Sequence, residues 1–212
     1  MSNVLAALAW AAIRFPSGGA ARYPARVRAL EVLCALPIFA ILARYVQEKR
    51  GTGRMGEMLF ACHVAALAVA LGLVAGAGWL VGPAFVFSVG VGIPAWLIEA
   101  IATRKATLLS VAAHLAPPAA AALHLAQRGL PSGSALSAWA MFVALLALSF
   151  VATDPALNVN LAHRPSREMA VFAPTPWTAR LLMAGVTLGA LLVAEWGSAR
   201  VFGRSVAAED WG

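Results

Sequence analysis

Residues 58–98 contain no Asp, Glu, Lys or Arg. Drawn out as one helix at about 1.5 Å per residue, such a run would be roughly twice the thickness of a bilayer's hydrocarbon core. It must double back, and Gly76, Gly78, Gly82 and Pro83 supply turn residues that divide it into spans at 58–77 and 83–101. Composition agrees: the chain is 61% hydrophobic and 12% charged, with a mean hydropathy of +0.80, whereas a soluble domain carries about a quarter charged residues. These features identify an integral membrane protein.

The rest of the chain reads in the same terms. Residues 4–13 are apolar but too short to cross a core that needs about 20 helical residues, so a helix lying in the interface is expected there. A cleaved signal peptide is not expected, because no basic residue precedes this run. Further spans are expected at 29–46, 106–126, 135–153 and 177–199, making about six. Glu31 and Arg44 leave the first a short uncharged centre and are expected to snorkel to the headgroups. Trp177 and Trp196 are about 28 Å apart along the last span, the spacing of interfacial anchors. With no fixed-period repeat and no strand-like alternation, the reading is one all-α domain. It comprises an N-terminal interfacial segment (1–28), a transmembrane helical bundle (29–202) and a short polar tail (203–212).

If each span crosses once, loops 44–57, 102–106 and 153–177 share one side. Arg44, Lys49, Arg50, Arg54, Arg104, Lys105, Arg164, Arg167 and Arg180 lie toward that side. Arg14, Arg22, Arg26, Arg28, Arg128, Arg200 and Arg204 lie toward the other, and the excess assigns the first side to the cytoplasm. The formal charge of +7 is thereby read as headgroup contact and topology signal, and no nucleic-acid module is visible.

Ionisable groups inside a membrane are costly and face a bundle interior or a wet cavity, so each is a functional candidate. His63 lies about 9 Å and His114 about 12 Å into their helices from the shared side. Glu99, Asp154, Asn158, Asn160, His163 and Arg164 gather at the same end. Pro117 and Pro118 remove the donors for the carbonyls of Ala113 and His114, so a kink or a free acceptor is expected beside His114. His124 reads as an interfacial or packing residue, Glu99 as reaching toward Arg104, and Glu195 as a partner for Arg200. Cys34 and Cys62 lie in apolar runs and make no disulfide framework. Cys62 diverges by about 100° from its neighbour His63, so the two do not form a dyad by adjacency, and His114 from another helix offers a thiol–imidazole pair.

His114 and His124 are too far apart on one helix to share an ion, and no HxxxH or HxxH box is present, so no metal site is expected. A haem or other tetrapyrrole held by His63 and His114 is an alternative that their matched depth allows. No nucleophile elbow, P-loop or dinucleotide fingerprint occurs.

The runs LFACHVAAL (59–67), GVGIPAWL (90–97), AAHLAPP (112–118), NVNLAHRP (158–165) and FAPTPW (172–177) follow an order that resembles the YwaF-like bacterial integral membrane proteins. More distantly they are similar to a family of eukaryotic transmembrane acyltransferases. The resemblance covers about two-thirds of the chain. It implies a bacterial inner membrane location and a lipid-facing site, with acyl transfer through a cysteine thioester. In that family a histidine precedes the cysteine with one residue between, whereas here Cys62 directly precedes His63, and Leu161 stands where an aromatic follows the family asparagine. Two function classes follow. One is a lipid-modifying enzyme with Cys62 as nucleophile, His114 or His63 as base, and a substrate-binding set of Glu99, Asp154, Asn158, Asn160, His163 and Arg164. The other is a non-catalytic membrane subunit that binds lipid, tetrapyrrole or partner helices. The small residues of this Ala- and Gly-rich chain would suit the second class, since they allow close helix packing.

Overall fold

The computed structural model describes residues 25–165 and 171–205. The interfacial helix expected at 4–13, Arg167 and most of the polar tail lie outside the described residues. Regular structure among the described residues is helical: α1 (Ala25–Gly51), α2 (Ala61–Ala75), α3 (Gly78–Phe87), α4 (Ile93–Thr103), α5 (Leu108–Arg128), α6 (Ser134–Ala152) and α7 (Pro176–Phe202). A π-helical segment, Ser88–Gly92, joins α3 to α4 into one rod of 26 residues. Five helices, this rod included, are long and apolar enough to cross a membrane.

The sixth expected span differs. Residues 58–77 do not form one helix, because Phe60 is extended (φ −55°, ψ 132°) between a 3-10 turn at Met55–Leu59 and α2. The break is held from both sides. Asn160 takes the N–H of Ala61 and donates to the carbonyl of Leu59. Glu57, buried in the turn, pairs with Lys49 at 2.7 Å and with Arg54. The 15 residues of α2 span about 22 Å, short of a core of about 30 Å. Yet α2 runs antiparallel to α1 over most of that helix. His63 meets Tyr45 at one end, and the Leu73 and Val74 carbonyls meet Arg28 at the other.

Elsewhere the expected boundaries shift by a few residues for local reasons. Gly76, in the left-handed region at φ +70°, ends α2, and with Ala77, whose N–H donates to the Gly72 carbonyl, it reverses the chain. Pro83 is therefore absorbed into the first turns of α3 rather than forming the turn. Thr107 caps α5 by accepting from Ser110 N, and Thr175 with Thr178 forms a capping box on α7. α5 runs unbroken through Pro117 and Pro118, both buried.

α3 is the central element, packed on α2, α5, α6 and α7, and six of its ten residues are buried. Close approach depends on small residues: a Cβ on Gly90 would lie 2.9 Å from the Ala194 methyl of α7. The core around α3 is built from alanines of α1, α2, α5 and α6 with Ile38, Leu73, Phe85, Leu125 and Phe142.

Two polar expectations are corrected here. Glu31 does not snorkel: it is 4% exposed, binds Arg28 at 3.0 Å and Arg128 at 3.1 Å, and accepts from His124 Nδ1 at 2.8 Å. Of the two alternatives for His124, packing is the one realised: it is 0% exposed and packed within a charge cluster. Glu195 pairs with Arg204, not Arg200, and accepts from the N–H groups of Gly133 and Ala135 at the start of α6. Arg200 instead lies 4.0 Å over the Trp196 ring.

These contacts place 51–61, 103–108 and 152–165 at one end of the bundle, and 75–78 and 128–134 at the other. In a protein whose native cysteines are replaced by serine, Gly51→Cys and Ala156→Cys will react with a membrane-impermeant maleimide from the same face. Ser132→Cys will react from the opposite face. Glu31→Ala, which strands two arginines, will lower stability in detergent by about 3–5 kcal/mol, read by denaturant titration.

Candidate functional site

Near the first of these ends, α1, α2, α4 and α5 bring polar groups into a non-polar layer. His114 uses Nδ1–H to donate to the Ser110 carbonyl one turn earlier, at 2.9 Å, which leaves Nε2 as an acceptor. The Trp96 indole stacks on His114 with ring centroids 5.1 Å apart at 13°, and its N–H donates to Ser110 Oγ at 2.7 Å. From α1, the Tyr45 hydroxyl interacts with the same Ser110 side chain, while its ring lies 4.7 Å from His63. His63 is buried and donates from Nδ1 to the Glu57 carbonyl at 3.2 Å.

Cys62 and His114 line one cavity of about 10 Å³, together with Ser88, Gly92, Ile93, Ala113 and Pro117. That is room for about one water molecule. Its position follows from two irregular helices. The π segment Ser88–Gly92 widens one wall, as such segments often do at functional sites. On the other, Pro117 and Pro118 have no N–H to give the carbonyls of Ala113 and His114, so acceptors are left over. Ser88 spends its hydroxyl on the Ala84 carbonyl at 2.8 Å. A half-buried thiol, an imidazole acceptor and water-sized space form the minimal set for proton transfer from sulfur.

The remaining expected site residues divide. Glu99 is exposed on α4, and its charge reaches both Cys62 and His114; it forms no ion pair with Arg104. Asn160 spends its side chain on Ala61 N, Leu59 O and Ser149 Oγ, at 2.8–3.0 Å. Asn158 accepts from the N–H groups of His163 and Arg164 and donates to the Arg164 carbonyl, each at 3.0 Å. Asp154 accepts from Ala156 N, and Arg164 is exposed. His163 lies 5.4 Å from Phe150, with Nε2 at 3.4 Å from Thr153 Oγ1. The segment 158–163 therefore folds a loop against the start of α2 and does not line the Cys62 cavity, and His63 is not in that lining either. Both asparagines are left-handed, at φ 45° and 53°, a conformation to which asparagine is better suited than most residues.

Sequence reasoning missed Tyr45, Trp96, Ser110 and Glu57. Ser110 and His114 are four apart, a spacing that puts them on one helical face and could have been read. Tyr45 and Trp96 come from other helices and carry no such signal. Among the described residues no group of three His, Cys, Asp or Glu side chains is arranged to hold a metal ion.

Asn160→Ala removes three hydrogen bonds, including one at the first N–H of α2. It will cost about 1–2 kcal/mol in denaturant titrations and will speed alkylation of Cys62, because the break at Phe60 loses its anchor.

No protein-family model, curated protein or solved structure matches the chain.

Proposed function

We propose that this membrane-embedded helical bundle, with α2 as a sixth crossing, is a lipid-modifying acyltransferase of a bacterial inner membrane that works through Cys62. The observation that carries the reading is the cavity that Cys62 shares with His114. His114 Nε2 takes the thiol proton as the sulfur attacks the acyl carbonyl of a lipid ester. The C–S bond forms, the ester C–O bond breaks, and His114 returns the proton to the departing lipid alcohol. A hydroxyl or amine acceptor then attacks the thioester, and the thiol is regenerated. Glu99 and Arg164, both exposed at this end, face headgroups. Asn160 and His63 brace the start of α2, which carries Cys62, through their hydrogen bonds to Ala61, Leu59 and Glu57, and Asn158 orders the loop beside it.

The non-catalytic reading, a subunit that binds lipid, tetrapyrrole or partner helices, has its own supporting observation. The cavity holds about one water, and the asparagines and His63 are engaged in internal hydrogen bonds.

Intact-mass measurement of protein extracted from membranes separates the two. The enzyme reading expects a fatty-acyl mass on Cys62 that hydroxylamine removes, absent from Cys62→Ser and strongly reduced in His114→Ala. An unmodified thiol in wild type, with no acyl exchange when labelled phosphatidylglycerol is supplied, would leave the subunit reading. A Soret band lost only when both His63 and His114 are changed would identify the tetrapyrrole form of it.

A further inference from the structure

Between α6 and α7 the outer surface opens into a cleft of about 340 Å³, within the size range of small-molecule sites. Its walls are apolar, from Leu146 and Phe150 on α6 to Leu181 and Ala184 on α7, and Arg180 is the one charged residue in the lining. Arg180 is held in place rather than waving in solvent. Its Nε donates to the Ala162 carbonyl at 2.8 Å, and its guanidinium carbon sits 4.0 Å over the Phe150 ring. Among the described residues no carboxylate pairs with it, and its two terminal amino groups have no hydrogen-bond partner. Trp177, exposed at the same end of α7, belongs to the lining too, which sets this mouth at headgroup depth. A fixed cation with unused donors at the mouth of an apolar cleft is complementary to a phosphate carried on a hydrocarbon chain.

We propose that the cleft between α6 and α7 holds an acyl chain of an anionic phospholipid whose phosphate is taken by Arg180. Neither Cys62 nor His114 lines it, so the assignment stands apart from the thioester reading. The phosphate accepts from the terminal amino groups while Ala162 and Phe150 keep the guanidinium plane oriented. The chain covers Leu181, which is otherwise 59% exposed at the cleft.

Native mass spectrometry of the full chain, equilibrated in detergent with equal amounts of dioleoyl phosphatidylglycerol and dioleoyl phosphatidylcholine, reads this directly. Wild type is expected to retain the anionic lipid in roughly tenfold preference, the scale of one charge-assisted hydrogen bond. Arg180→Gln should abolish the preference and Arg180→Lys should keep part of it. Ala147→Phe, which fills the cleft without touching the charge, should lower occupancy by both lipids. An unchanged preference in Arg180→Gln overturns the proposal. So does displacement of the lipid by millimolar inorganic phosphate, which would make this a free-anion site. Cross-linking of Val151→Cys between two copies also overturns it, since the occupant would then be a second chain.

Discussion

A carboxylate carried into a low-dielectric layer has to be compensated on nearly every lone pair, and Glu31 is compensated by three side chains from two helices. Arg28 comes from its own helix, and His124 and Arg128 come from α5. The same arginines then reach the last carbonyls of α2: Arg28 those of Leu73 and Val74, Arg128 that of Gly76. These are carbonyls that a helix end leaves without donors. One buried charge therefore fixes the relative height of α1, α2 and α5 at one end of the bundle. The α5 residues that face Tyr45 and Cys62 at the other end inherit their register from it. Removing a single member would leave the others charged and unpaired, which is why such clusters act as units.

The same device recurs. Glu57 gathers Lys49 and Arg54 and holds the 3-10 turn that precedes α2. Glu195 takes Arg204 and two N–H groups at the N-terminus of α6, where the helix dipole favours a negative charge. All three glutamates are buried, and all three lie toward bundle ends, where a charge is least costly to a membrane protein. Between them the chain packs alanine and glycine so closely that van der Waals contact replaces the hydrophobic drive that lipid does not supply.

The cavity of Cys62 and His114 occurs where this regular packing is interrupted. A π segment and a double proline face each other across it, and each withdraws part of the hydrogen-bond ladder that a membrane helix otherwise completes internally. Polar side chains are tolerated there because they satisfy one another: Tyr45 and Trp96 at Ser110, His114 at the Ser110 carbonyl, His63 at the Glu57 carbonyl.

Sequence by itself determined the class and most of the spans, because the length of an apolar run and the position of charges at its ends are set by bilayer thickness alone. It also gave the expectation that His63 and His114 sit at similar depth, since depth along a helix is a count of residues. It could not determine rotation about the helix axis, which depends on which neighbour packs on which face. That is why Glu31 was expected at the interface yet is buried against His124, and why Glu195 found Arg204 rather than Arg200. It also could not foresee the break at Phe60, because the side chain that stabilises it, Asn160, lies 99 residues from Ala61. Tertiary structure alone decided that the asparagine loop would brace α2 instead of lining the pocket, and that Tyr45 and Trp96 would close around Ser110. Contacts between distant segments carry no periodicity in a single chain, so no count along it could have revealed them.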